Sequence, residues 1–242
     1  MRLDYLLVAR GLVPSRERAR ALILAGQVRV NGQPATKAGH DVRDDADVQV
    51  AVPDHPYVGR GGLKLAHALD TFAIDVRDAV ALDIGASTGG FTDVLLQRGA
   101  RQVVALDVGH GQLDWKLRTD PRVVVREHVN ARHLADDDLP GPFAIVTVDV
   151  SFISLRQILP VVPRRLSPNG NVVVLVKPQF EAGRADVGKG GLVTDAAVHA
   201  RVLEEVRQAA RALGLTPMAD TPSPITGSTG NQEFLLHLRL AR

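Results

Sequence analysis

Apolar residues along this chain recur in two rhythms, and the switches between them set out its organisation. Near the N-terminus Leu3, Leu6, Leu7 and Ala9 fall at helical spacing and stop by Gly11. After Pro14, Ser15 is a natural N-cap for a second helix over about 16–25. Ala19, Leu22, Ile23 and Gly26 share one face of it, with Arg16, Arg18 and Arg20 largely off that face. The period then drops to two. Val28 and Val30 alternate with Gln27 and Arg29, Asn31-Gly32 is a tight-turn dipeptide, and 47–52 alternates again as a returning strand. Pro53-Asp54-His55-Pro56 breaks regular structure, which places a domain boundary between 53 and 59.

Beyond that break, short apolar runs interleave with helical stretches. Strands are expected at 79–84, 102–107, 123–126, 143–150 and 171–177, with a late one at 234–240. Helices are expected at 91–97, 114–117, 154–166 and, the longest, 195–213. Such interleaving predicts an α/β, doubly wound and mostly parallel sheet. The expected division is a small α+β domain at 1–53, a linker at 54–60 and a large domain at 61–242.

Composition sharpens this picture. A chain of 242 residues has room for one large domain plus a small one. Its residues are 45% hydrophobic but only 4% aromatic, so the core must be built from Val, Leu, Ile and Ala, as suits a parallel sheet covered by helices. The absence of cysteine excludes disulfides, thiolate nucleophiles and cysteine zinc sites. No apolar run approaches the roughly 18 residues of a membrane span, and Met1-Arg2-Leu3-Asp4 lacks the apolar stretch of a signal peptide, so a soluble cytoplasmic protein is expected. The net charge of +2 is unevenly spread: Arg2, Arg10, Arg16, Arg18, Arg20, Arg29 and Lys37 crowd the first 40 residues, and acids follow. A basic module of this kind points to an anionic partner, most commonly nucleic acid; the bland alternative is a solvated helix face.

Two constellations carry chemistry. Asp83-Ile84-Gly85-Ala86-Ser87-Thr88-Gly89-Gly90-Phe91 follows the first strand of the large domain and opens a helix. Its spacing is not that of a dinucleotide fingerprint, and no phosphate-cradling lysine follows, so neither a nicotinamide enzyme nor a P-loop is favoured. An acid before such a turn suits a cationic sulfonium with an amino-acid tail, Asp83 near its ammonium. A carboxylate ending the next strand, Asp107, suits a ribose diol. The second constellation is Lys64, Asp149, Lys177 and Glu233. Lys177 ends the run Val172-Val173-Val174-Leu175-Val176, where a lysine is costly unless it meets water, a ligand or a partner. Methylating a sugar hydroxyl requires a group to share the hydroxyl proton as the methyl arrives. A neutral lysine amine can do so, and a second lysine and partial burial favour that neutral form, whereas carboxylates oppose it and fix geometry.

Several motifs in order resemble known families. Arg2-Leu3-Asp4, Arg10-Gly11-Leu12, Ser15-Arg16, Ala19, Leu22-Ile23, Gly26 and Val28-Arg29-Val30-Asn31-Gly32 are similar to the S-four RNA-binding domain, whose arginine-rich second helix and following loop contact RNA. Tyr57-Val58-Gly59-Arg60-Gly61-Gly62-Leu63-Lys64-Leu65, the stretch 83–93, Asp107-Val108-Gly109, Asp149-Val150-Ser151-Phe152-Ile153-Ser154, Lys177-Pro178-Gln179-Phe180-Glu181 and 227–234 resemble the FtsJ-type 2′-O-methyltransferases, and more closely the TlyA (hemolysin A) family, over essentially the whole chain. Gly59 departs from the serine expected there. The resemblance implies a Rossmann-like methyltransferase domain with a seven-stranded sheet, S-adenosylmethionine as cofactor, and cytidine 2′-O-methylation in ribosomal RNA. It also implies Lys64, Asp149, Lys177 and Glu233 as catalytic tetrad, with Lys177 the base. The short N-terminus inclines the expected substrate towards large-subunit RNA.

The expected cofactor contacts are Asp83, Gly85, Ala86, Ser87, Gly89, Gly90, Phe91, Asp107, Val108, Asn130 and Asp149; the expected RNA contacts are Arg2, Arg10, Arg16, Arg18, Arg20, Arg29, Lys37 and Arg60. Partners are ribosomal RNA or subunits, with no membrane, no metal and a monomer favoured. His128 and His133 near Asp136, Asp137 and Asp138 lack a second histidine pair at ligand spacing. Trp115 and Phe152 suit stacking on adenine or on a flipped base, or core packing; Ser228 and Asn231 lie where substrate contact is conceivable. The competing functions are a base-methylating or pseudouridine-forming RNA enzyme, a pore-forming cytolysin and a non-catalytic RNA-binding factor. The fourth strand ends Asp-Val-Ser-Phe instead of the Asn-Pro-Pro-aromatic pattern of base methylation, and pores need spans or long amphipathic segments.

Overall fold

The computed structural model describes residues 1–13, 15–24, 26–50, 55–135, 138–139 and 141–240. Pro14, the expected helix end at Ala25, the strand end Ala51-Val52, the Pro53-Asp54 break and Asp136-Asp137 lie outside these residues. The chain forms two compact units, 1–56 and 57–242. Residues 57–60, expected in the linker, pack within the second unit, where Val58 N donates to the Asp93 carboxylate at 2.8 Å.

In the first unit, α1 (Leu3–Ala9) and α2 (Arg16–Leu24) pack on a three-stranded antiparallel sheet of β1 (Val28–Val30), β2 (Gln33–Pro34) and β3 (Val48–Val50), in the order β2-β1-β3. Asn31-Gly32 makes the expected turn between β1 and β2, both residues at positive φ. Leu3, Leu7, Ala19, Ile23 and Val28 are fully buried, so the apolar spacing did mark the core. Gly26 is the exception. It lies past α2, exposed and at φ 69°, where it turns the chain and joins no helix face.

The second unit is built on α3 (Gly61–Thr71), β4 (Val80–Ile84), α4 (Gly90–Gln97), β5 (Gln102–Leu106), α5 (Trp115–Arg118), β6 (Val123–Arg126), β7 (Phe143–Val148), β8 (Leu166–Val176), α6 (Pro178–Glu181), α7 (Ala196–Ala212), β9 (Leu215–Pro222) and β10 (Phe234–Leu240). The sheet has seven strands in the order β6-β5-β4-β7-β8-β10-β9. The first five run parallel, and β10 is antiparallel to both of its neighbours. Central strands are apolar on both faces, as in β8, where Val172 to Val176 are all 0–1% exposed. One core layer holds α7 against the sheet through Val198, Val202 and Val206; the other holds α3 and α4 through Leu65, Leu69, Val94 and Leu95.

Two differences from the expected elements have local causes. The helix expected at 154–166 is replaced by three 3-10 turns, Leu155–Gln157, Leu159–Val161 and Pro163–Arg165. Pro160 and Pro163 each remove an amide from the α-helical ladder and break it. The strand β9 carries no alternation because it is an edge strand, exposed along most of its length and interrupted by Pro217. α3 surrounds the expected Lys64 with a buried face that includes Leu65, Ala68 and Leu69. Among the described residues no helix is long and apolar enough to cross a membrane.

Candidate active site

Strand order reverses between β4 and β7, and the carboxyl ends of the parallel strands meet there, the position at which open α/β sheets hold ligands. The chain leaves β4 through Gly85, held at φ 85° with its amide donating to Leu106 O at 2.8 Å. A side chain there would press on the Asp149 carbonyl, so glycine lets the β4 and β7 exits lie side by side. Gly90 serves a close approach: a Cβ on it would lie 2.9 Å from Gly62 N, so the N-termini of α3 and α4 meet only because Gly90 has no side chain.

Below this turn lies a cavity of about 480 Å³, within the usual range for small-molecule sites, lined by Gly85, Ser87, Asp107, Val108, Asn130, Asp149 and Phe152 among others. Asp107 accepts from Ser87 N at 2.8 Å and from Gly109 N at 2.7 Å, which fixes its carboxylate on the cavity wall with lone pairs to spare. Asn130 lines the wall while its side chain accepts from Arg132 N at 3.1 Å. Ala86, Gly90 and Phe91 line a smaller adjoining cavity with Lys64, and Asp149 borders both.

Two expected contacts are not where they were placed. Asp83 is fully buried beneath the turn and accepts from Thr92 Oγ1 at 2.7 Å and Thr147 Oγ1 at 2.8 Å. It lines neither cavity and does not reach a ligand's ammonium directly; burial pushes its carboxyl up to about 6. Gly89 likewise faces away: a side chain on it would strike Leu113 and Leu117, so it serves packing.

The four expected catalytic residues come together as two ion pairs at one end of the sheet. Lys64, on the buried face of α3, pairs with Glu233, the residue before β10; they are 8% and 2% exposed. Lys177, at the end of β8, lies 2.6 Å from Asp149 Oδ1, just beyond β7. Phe234 is in register with Val176, so Glu233 and Lys177 face each other across the strand ends. Asp149 shares the smaller cavity with Lys64 and so joins the pairs into one cluster. Glu233 does not precede an edge strand, since β10 lies between β8 and β9.

Three residues near the cluster escaped the sequence. Lys177 Nζ donates to Ser151 Oγ at 2.9 Å. Glu181 is buried, its carboxyl pushed up by burial, and accepts from Ser154 Oγ and Leu155 N, both at 2.6 Å. Phe180 meets Phe152 at a ring-centre distance of 5.2 Å. Together they clasp 149–155 to 177–181. Ser151, Phe180 and Glu181 fall inside recognised motifs, but only a contact map assigns them partners. Phe152 itself is 92% exposed at φ 64°, an apolar ring presented to solvent. Trp115 is exposed too, which excludes the core role for both. Asn231 is 1% exposed, accepting from Val193 N and donating to Gly191 O, each at 2.8 Å; it is an internal clamp with no free edge for substrate. Ser228 is exposed. His128 stacks on His110 at 4.7 Å, and no group of three potential metal ligands occurs among the described residues.

In the first unit the expected RNA contacts divide. Arg2, Arg16 and Arg20 converge on Asp4, which is fully buried and accepts from them at 3.0–3.2 Å. Those hydrogen bonds, Arg2's first, hold its carboxyl well below the usual carboxylate range. Arg16 also lies 3.9 Å over the Tyr5 ring. Arg29 and Lys37 are exposed. Arg10, which is exposed, donates to the carbonyls of Ala46, at 2.7 Å, and Asp44, and so also staples α1 to the approach to β3. Arg60 belongs to the second unit and reaches Thr226 O at 3.5 Å.

Residues 57–240 match the family model described as FtsJ-like methyltransferase. The chain belongs to the FtsJ-like methyltransferase family. Residues 1–48 match the S4 domain. Over 239 residues the chain is 48% identical to the 16S/23S rRNA (cytidine-2′-O)-methyltransferase TlyA of Mycobacterium tuberculosis, covering 98% of this chain and 89% of that one. It is 43% identical to hemolysin A of Brachyspira hyodysenteriae, covering 98% and 99%. A solved structure from Streptococcus thermophilus is 45% identical, covers 100% of this chain and 88% of its own, and superposes with a TM-score of 0.79. The seven-stranded fold and the S4 plus FtsJ-like organisation expected from the motifs are thus borne out.

Proposed function

We propose that this FtsJ-like methyltransferase uses S-adenosylmethionine to methylate the 2′-hydroxyl of a cytidine in ribosomal RNA, the large-subunit RNA first. The observation that carries the reading is the ion pair of Lys177 with Asp149, a residue that borders the cavity closed by Asp107. The cavity fits the cofactor chemically. Asp107 suits a ribose diol, and Asp149, paired with Lys177, borders the same cavity. When bound, the cofactor supplies an electrophilic methyl group.

The chain's own residues do the rest. Lys177, as the neutral amine, takes the proton of the sugar hydroxyl, and Asp149 holds the ammonium that results. Lys64 and Glu233 fix the adjoining wall and keep its charge balanced. Phe152 offers an exposed ring on which a splayed-out base can stack, as RNA-modifying sites require. The S4 unit supplies guanidinium groups for the phosphate backbone, through Arg2, Arg16 and Arg20 around Asp4. A ribosomal substrate is in keeping with action in the cytoplasm.

Transfer of labelled methyl to purified unmodified ribosomal subunits, followed by mapping of the sugar, tests this. Lys177→Met is expected to lose roughly 10²–10⁴-fold in rate while still binding cofactor in calorimetry. Label on a base would sink the 2′-O assignment, and full activity of the variant would sink the role of Lys177.

A further inference from the structure

Lys177 has two different kinds of neighbour. Asp149 Oδ1 lies 2.6 Å from the amine as its ion-pair partner. Ser151 Oγ, at 2.9 Å, accepts a directed hydrogen bond from the same nitrogen. Other charged groups around the amine are Glu233 across the strand ends, Lys64 paired to Glu233, and Glu181 at the end of α6, which is occupied by Ser154 and Leu155 N.

We propose that Ser151 is a positioning residue that orients the Lys177 amine for proton transfer, an inference that rests on the 2′-O-methylation reading. The tetrahedral nitrogen carries three positions besides its carbon. In the neutral amine the hydrogen bond to Ser151 holds one N–H and the Asp149 carboxylate the other, so the lone pair keeps one direction. As the bond from the sugar oxygen to methyl carbon forms, the sulfur–methyl bond breaks and sulfur keeps its electron pair. The hydroxyl proton goes to Lys177 Nζ, which later releases it to solvent. A lone pair that rotates away misses that proton, and misorientation of a reacting group by this much carries a large rate penalty. The clasp between 149–155 and 177–181 holds Ser151 in place. Glu181 grips Ser154 and Leu155 N, and the Phe152–Phe180 contact closes the same two segments.

The test is Ser151→Ala in the full chain, with Ser151→Thr as the variant that restores the hydroxyl. Single-turnover methyl transfer to ribosomal subunits is followed against pH. The alanine variant is expected to lose roughly tenfold at the plateau. Its acidic limb is expected at lower pH, because removing an acceptor from an N–H group disfavours the charged form. The threonine variant is expected to recover both, and cofactor affinity to stay constant. A merely structural serine would leave the limb in place, so an unchanged plateau and limb overturn the proposal. A readout without substrate separates this from failure of the functional reading. The chain has five lysines, Lys37, Lys64, Lys116, Lys177 and Lys189. The ε-methylene of carbon-13-labelled Lys177 can therefore be assigned with the Lys177→Met variant. In Ser151→Ala its order parameter is expected to fall and its titration midpoint to drop. If wild-type protein methylates no ribosomal RNA, the function falls while this measurement still decides on Ser151. An unchanged order parameter and midpoint overturn the positioning role.

Discussion

Replacing Glu233 with leucine removes the charged partner of Lys64 and leaves an ammonium with a side chain only 10% exposed. The cost follows from that burial. Breaking a buried ion pair by removing one partner costs about 3–5 kcal/mol, because the remaining charge has lost its solvent and gained nothing. For a unit of this size each kcal/mol lowers the melting temperature by about 2–4 °C, so Glu233→Leu should unfold roughly 6–20 °C below wild type in calorimetry. The double variant Lys64→Met with Glu233→Leu removes both charges and fills the same space with apolar atoms. Such replacements are often neutral or stabilising, and the double variant is expected within about 1 kcal/mol of wild type or above it. Activity should not follow stability: with Lys64 and Glu233 in the proposed catalytic cluster, both variants should be inactive in methyl transfer. A Glu233→Leu protein melting within 2 °C of wild type, or a double variant as unstable as the two single changes summed, would refute the argument that these charges are coupled and buried.

Two further outcomes are expected. Asp83 has its carboxyl raised to about 6 against an unfolded value of 3.8, so the native state holds the extra proton between those pH values and loses stability as pH rises through the window. Asp83→Asn should flatten that dependence and gain up to about 3 kcal/mol relative to wild type between pH 4 and pH 7, measured by urea unfolding at both; an identical slope in the two proteins would contradict the burial of this charge. In the S4 unit, Asp4→Asn removes a negative charge, and counting charge alone predicts tighter RNA binding. Because Asp4 gathers Arg2, Arg16 and Arg20, the expected outcome in filter binding at fixed ionic strength is weaker binding; tighter binding would show that the arginines need no organiser.

Residues at the ends of apolar runs were legible because burial makes them expensive. A lysine after five apolar residues, or an acid after a strand, survives only with a partner, and Lys177, Asp149 and Asp107 all proved to have one. What the residue pattern could not reveal was direction. Asp83 and Asp107 are both acids near strand ends, yet the first, inside β4, points under the turn to Thr92 and Thr147 while the second, just past β5, faces the cavity. Gly89 and Gly90 are adjacent, yet one packs on Leu113 and Leu117 and the other on α3. Arg10 and Arg16 are both arginines of the first unit, but the first donates to backbone carbonyls 34 and 36 residues away and the second to the side chains of Asp4 and Tyr5.

The cluster depends on the same directionality at the level of the sheet. Glu233 and Lys177 face each other because β10 runs against β8 with Phe234 opposite Val176, and Asp149 lies near Lys177 because β7 and β8 are parallel neighbours, with Val148 opposite Val174. A strand's side chains alternate between faces, so sliding β10 by one residue would turn Leu236 and Leu238 out of one core layer and Leu235 out of the other. The apolar residues that close both core layers therefore also set the register on which the two ion pairs depend. Packing of β10, far more than any preference of the charged residues for one another, brings Glu233 to Lys64 and Lys177.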